Sequence, residues 1–137
     1  VREEPYPEKP LDELLRWADV VSVHAPLNDR TRGLIGAPEL SVMKRSALLI
    51  NVARGGIVDE TALIAALRSG HLAGAALDTF EGEPVINPAL RELDTVVLQP
   101  HIGSAGGTTR DNMCRLAVRN VARVLAGEPA ETPVSLP

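Results

Sequence analysis

Cysteine, aromatic residues, long apolar runs and a dominant charge sign are all scarce or missing in this 137-residue chain. Cys114 is the single cysteine, so no internal disulfide can form and no cluster of thiolate metal ligands is available. An unpaired thiol favours a reducing compartment, so a cytoplasmic location is expected, with Cys114 acting as a small buried hydrophobe. Tyr6, Trp17 and Phe80 are the only aromatics, too few for a base-stacking platform. The 14 Lys and Arg face 18 Asp and Glu, a formal net charge of -4, which argues against a broad interface with a phosphate backbone. No nucleic-acid partner is therefore expected. Nor is a membrane partner, because no apolar run approaches the roughly 20 residues that span a bilayer. The stretch from Val1 to Pro10 is charged and proline-rich, unlike a signal peptide. No two histidines have the spacing of a helical metal motif, so no metal site is expected.

What the chain does have is aliphatic mass: 45 % of it is hydrophobic, mostly Leu, Val, Ile and Ala. Residues 11–18 read as a short helix with Pro10 at its start, and Val20–Val23 as a short buried strand ended by His24-Ala25-Pro26. A helical turn or two is expected around Glu39 to Met43. Residues 47–52 form a second strand, whose continuous apolar character predicts cover on both faces. Asp59 caps a helix through Leu63 to Leu67, which Gly70 ends at C′. Residues 73–77 and 95–98 are further strands, with a loop from Phe80 to Pro88 and a helical turn over 88–93 between them. Thr108, with Asp111 three residues on, offers a capping box for a long amphipathic helix that Gly127 stops. The tail containing Pro129, Pro133 and Pro137 is expected to be extended. Buried strands joined by short helical crossovers define an α/β chain, a parallel sheet with helices on both faces.

Ligands of such sheets bind beyond the carboxyl ends of the strands. Pro26, Arg54, Asp78 with Glu83, and His101 follow the four strands in turn. Arg54 presents a planar fork that matches a carboxylate bidentately. His101 can give or take a proton near neutral pH, and Glu83 can fix its tautomer. An arginine, a histidine and a glutamate without a serine or cysteine nucleophile point to acid–base chemistry on an anionic substrate, as hydride transfer to a carbonyl requires. Taken singly, each residue also has a plainer reading. Arg54 could cap a strand, Asp78 a turn, Glu83 could be solvated, and His101 could be an ordinary loop residue. His24 reads as a satisfied structural histidine and His71 as a surface one. Gly103 and Ser104, just before a helix start, suggest exposed N–H groups suited to a polar ligand.

Four ordered stretches carry a resemblance over nearly the whole chain. They are residues 18–27 (ADVVSVHAPL), 49–60 (LINVARGGIVDE), 74–84 (GAALDTFEGEP) and 100–105 (PHIGSA). Together they resemble the NAD-binding region of the D-isomer-specific 2-hydroxyacid dehydrogenases. The resemblance implies a three-layer Rossmann-like fold and hydride exchange between NAD(H) and a D-2-hydroxy or 2-oxo acid. It implies Arg54 as the substrate-binding residue, Glu83 as the second acid and His101 as the acid–base residue. Pro26, Ala53, Arg54, Asp78, His101, Gly103 and Ser104 would then line the cofactor cleft, and the enzyme would be a homodimer acting on a small acid. A non-catalytic dinucleotide sensor or corepressor-like relative is the alternative. The family's Gly-x-Gly-x-x-Gly fingerprint is not in the chain, so the sheet is expected to be incomplete, lacking its first strand–helix half. Residues 1–107 are then the C-terminal part of the NAD-binding domain, and 108–137 a crossing helix and tail towards the substrate domain. A sheet so cut should expose apolar edge and face, and 137 residues alone should turn over little.

Overall fold

The computed structural model describes residues 9–134, which divide into two compact units, one ending at His101 and the other starting at Ile102. The first unit holds four parallel strands, β1 (Val20–Val23), β2 (Leu48–Asn51), β3 (Gly74–Leu77) and β4 (Val96–Leu98), paired in the order β1-β2-β3-β4. Helices α1 (Leu11–Trp17), α2 (Ala37–Val42), α3 (Glu60–Arg68) and α4 (Pro88–Arg91) alternate with them. All eight elements fall where the apolar runs place them. This is the Rossmann-like α/β architecture expected from the sequence.

The register aligns Val20 with Leu48 and Gly74, and Val21 with Leu49 and Ala75. Successive residues of a strand point to opposite faces, so each row of the sheet is wholly on one side. One side carries Val21, Val23, Leu49, Ala75 and Leu77, all buried in a single core with Leu15, Leu40, Leu63 and Leu90 from the four helices. Each fully buried leucine contributes about 1.5–3 kcal/mol. The other side carries Val20, Leu48 and Val97, which are 52, 43 and 59 % exposed. Within this unit the helical cover is therefore one-sided. β2 alternates between open and buried residues although its sequence is continuously apolar.

Local signals explain most helix ends. The Asp59 carboxylate accepts the Ala62 N–H at 3.0 Å, and Gly70 follows α3 at φ 66°, a conformation that glycine adopts without penalty. Asn87 caps α4 by accepting from the Ala89 N–H at 3.1 Å. His71 departs from its expected surface role: it is half-buried, and its Nε2 lies 3.2 Å from the Leu40 carbonyl of α2.

The second unit is built on α5 (Gly107–Leu125). Here the expected capping box is not formed. Gly106 is the N-cap, its carbonyl accepts from Arg110 at 2.9 Å, and Thr108 lies inside the first turn. Nothing before Thr108 stops the chain winding back onto the glycine pair, so the helix starts early. Gly127 ends it at φ 79°, as expected. The tail returns along the helix: Asn120 Oδ1 accepts from the N–H groups of Glu131 (2.7 Å) and Thr132 (3.2 Å). Arg119 pairs with Glu131 at 3.0 Å, which lowers the carboxyl pKa of Glu131 and raises that of Arg119. Pro137 lies outside the described residues. Cys114 is exposed on α5 and not the buried hydrophobe anticipated. Among the described residues no helix is long and apolar enough to cross a membrane.

Candidate active site

Parallel pairing sends the carboxyl ends of all four strands to one edge of the sheet. Pro26, Arg54 and His101 each sit three residues past the end of their strand, and Asp78 follows β3 directly. The edge that the sequence suggests is therefore formed in one unit. Gly103 and Ser104 belong to the second unit and are not part of this geometry.

Glu83 and His101 meet. His101 Nδ1 lies 2.9 Å from Glu83 Oε2, and Glu83 Oε1 accepts the Phe80 N–H at 3.1 Å. An ionised carboxylate only accepts, so the Nδ1 nitrogen carries the proton and Nε2 is the atom left to exchange one. The two side chains are 41 and 30 % exposed, open enough for a ligand to reach the ring. His101 itself sits at φ 53°, in the left-handed region that a non-glycine residue enters at some expense. The pair lines a cavity of about 440 Å³ with Phe80, Ile86 and Leu98.

Arg54 is exposed, and its Nη1 donates to its own neighbour, the Ala53 carbonyl, at 2.6 Å. It makes no ion pair among the described residues, so its charge is available to an anion. Arg54, Ala53 and Pro26, with His24, Leu27 and Val52, line a cavity of about 580 Å³ between the ends of β1 and β2. His24 bonds Ser22 Oγ at 2.8 Å, in keeping with a satisfied histidine. Asp78 is buried, and its N–H donates to the Asn51 carbonyl at 2.9 Å.

Three contacts hold these pieces in place: that of Gly55 is the close backbone approach that a glycine pair beside a polar residue suggests, while those of Asn51 and Glu60 were not singled out from the sequence. Asn51 is 1 % exposed and spans the ends of two strands. Its Nδ2 donates to the carbonyls of Arg54 (3.0 Å) and Thr79 (3.4 Å), and its Oδ1 accepts from the Ala53 N–H (3.1 Å). A lone polar residue inside the apolar run 47–52 was the available signal. Gly55 packs its Cα against the Phe80–Glu81 peptide: a Cβ there would lie 2.1 Å from the Phe80 oxygen. Glu60, in the first turn of α3, is buried and accepts the Glu81 N–H. Burial raises its carboxyl pKa above the ordinary 4.5, and the hydrogen bond from Glu81 offsets part of the rise.

A parallel α/β sheet whose polar residues gather at its carboxyl edge has the architecture of a dinucleotide-binding domain. The family model for the D-isomer specific 2-hydroxyacid dehydrogenase NAD binding domain matches residues 1–103, and the chain belongs to that family. Glyoxylate reductase of Pyrococcus horikoshii is 47 % identical over 127 residues, 93 % of this chain and 38 % of the relative. Glyoxylate/hydroxypyruvate reductase B of Citrobacter koseri is 50 % identical over 119 residues, 86 % of this chain and 37 % of the relative. The TT0316 protein of Thermus thermophilus superposes with a TM-score of 0.91 at 48 % identity, over 98 % of this chain and 43 % of that one. The NADPH-dependent glyoxylate/hydroxypyruvate reductase of Sinorhizobium meliloti, solved with NADP and malonate, gives 0.87 at 39 % identity, over 91 % of this chain and 39 % of that one. The chain thus spans less than two-fifths of the length of the curated relatives it matches.

Proposed function

We propose that the protein carrying this chain is an NAD-dependent dehydrogenase that interconverts a small 2-oxo acid and its D-2-hydroxy acid. The observation that carries the reading is the Glu83–His101 contact of 2.9 Å on the same sheet edge as an uncommitted Arg54. Arg54 would grip the substrate carboxylate through the two parallel N–H groups of its fork. In reduction, protonated His101 would give its Nε2 proton to the 2-oxo oxygen as that oxygen gains charge. Glu83 holds the ring by Nδ1 throughout and stabilises its charged form before the proton leaves. In oxidation, neutral His101 would take the hydroxyl proton back.

The residues present fit a nicotinamide cofactor. Pro26 and Ala53 are small and apolar, and with Val52 and Leu27 they give the cavity between β1 and β2 walls that suit a flat ring. Asp78 stands at the end of the neighbouring β3. When bound, the cofactor supplies or accepts the hydride at substrate C2. Cytoplasmic work as a homodimer goes with this reading. The unpaired thiol of Cys114 supports the compartment, the family resemblance supports the dimer, and light scattering on the purified protein measures the latter.

NADH oxidation with glyoxylate or hydroxypyruvate tests the proposal, with His101→Ala compared alongside. Loss of turnover with retained NADH binding is the expected result. NADH binding without turnover in the unmodified protein would instead favour a dinucleotide sensor.

A further inference from the structure

The loop that carries Glu83 runs from Phe80 to Asn87 and has few attachments of its own. Its entry is gripped from both sides. The Phe80–Glu81 peptide lies against the bare Cα of Gly55, one residue from Arg54. The N–H of that same peptide, on Glu81, points to the carboxylate of Glu60. Glu60 is only 7 % exposed and stands in the first turn of α3, which Asp59 fixes by its cap. A single buried side chain on a rigid helix therefore ties the start of the loop, and the Phe80 N–H and His101 divide the two oxygens of Glu83.

We infer that Glu60 is a positioning residue for the acid–base pair: by anchoring the Glu81 N–H it sets where Glu83 stands and so which nitrogen of His101 carries the proton. The inference rests on the dehydrogenase reading given above. It makes reach the critical property of Glu60, because the acceptor oxygen must arrive at the Glu81 N–H. Glutamine has the same length and presents an oxygen to that N–H. Aspartate keeps the charge but withdraws the oxygen by one carbon.

The test uses the protein carrying this chain, labelled with ¹⁵N-histidine, and reads the His101 ring nitrogens by NMR beside steady-state kinetics with NADH and glyoxylate. Glu60→Asp should lower kcat by about tenfold or more, as loss of orientation does. Its KM for NADH should stay within about twofold, since no residue at the β1–β2 cavity is touched. Its His101 ring should pass from one Nδ1–H tautomer to a mixture. Glu60→Gln should keep both kcat and the tautomer. A Glu60→Asp protein with lower thermal stability but unchanged kcat and ring spectrum at the assay temperature would overturn the inference, as would equal losses in both variants. His101→Ala and Glu83→Gln separate the two readings. If neither reduces turnover, the acid–base assignment itself fails; if both do and Glu60→Asp does not, only the role of Glu60 fails.

Discussion

Replacing Gly55 by alanine adds one methyl group and should damage both stability and turnover. The new Cβ would stand 2.1 Å from the Phe80 oxygen, 2.3 Å from the Phe80 carbonyl carbon and 2.8 Å from the Glu81 nitrogen. All three are backbone atoms, so no flexible side chain can swing away. In a close-packed interior the Phe80–Glu81 peptide must retreat by roughly 1 Å to reach an ordinary contact. Overpacking of this kind costs about 1–3 kcal/mol. The moved peptide donates to Glu60 through the Glu81 N–H, the Phe80 N–H just before it donates to Glu83, and Gly55 adjoins Arg54, so the proposed substrate anchor and acid–base pair move apart. A displacement of that size costs on the order of 10²-fold in rate. Urea denaturation gives the first quantity and glyoxylate-dependent NADH oxidation the second. Gly107→Ala is the control, because nothing lies within 4 Å of its added Cβ. Wild-type values of both the urea midpoint and kcat in Gly55→Ala would refute the steric argument.

Other outcomes follow from the same contacts. Glu83→Gln keeps the shape but removes the anion from His101, and kcat should fall about tenfold or more, the worth of a charge-assisted hydrogen bond. Leu49→Ala empties a site that is 0 % exposed under the helices and should cost roughly 3 kcal/mol or more by chemical denaturation. Glu60 supplies a pH dependence. Its folded pKa lies above the ordinary 4.5, so the folded chain binds more protons than the unfolded one over the interval between them. The stability tied to that proton is present below pH 4.5 and is lost as pH rises through the folded value. Thermal midpoints of Glu60→Gln relative to the unmodified protein should therefore increase with pH across this range and level off above it; a constant difference would contradict the burial account. Gly107→Ala, in the first turn of α5, should be neutral or raise stability by up to about 1 kcal/mol in the same melts.

The elements were legible because each strand is a short apolar run and most helices have a local stop or start, such as Asp59 and Gly70. The order of motifs also placed Arg54, Glu83 and His101 on one edge, since parallel strands leave no other choice. Which face of the sheet is covered was not legible. Leu48 and Leu49 are chemically alike, and only the tertiary arrangement exposes one and buries the other. Thr108 failed as a cap because a capping signal competes with whatever backbone precedes it, here two permissive glycines. Cys114 and the returning tail depended on which residues pack against α5, and its helical period is silent on that. Asn51 and Glu60 were hidden for a different reason. Glu60 and one of the three Asn51 bonds reach backbone groups 21 to 28 positions away, which leave no mark in a sequence; the lone polar Asn51 in its apolar run was the one trace.

His101 occupies a left-handed backbone conformation, which Gly adopts without penalty and Asn more readily than most residues. Folding alone would therefore prefer either of those at this position. The imidazole persists there against a local preference for something else, and in a lineage released from turnover that preference would act unopposed. Decay of the chemistry would then leave a sturdier domain than the one that began. A descendant with glycine or asparagine at this point, and the sheet intact, would have been remodelled by stability after activity had ceased to matter.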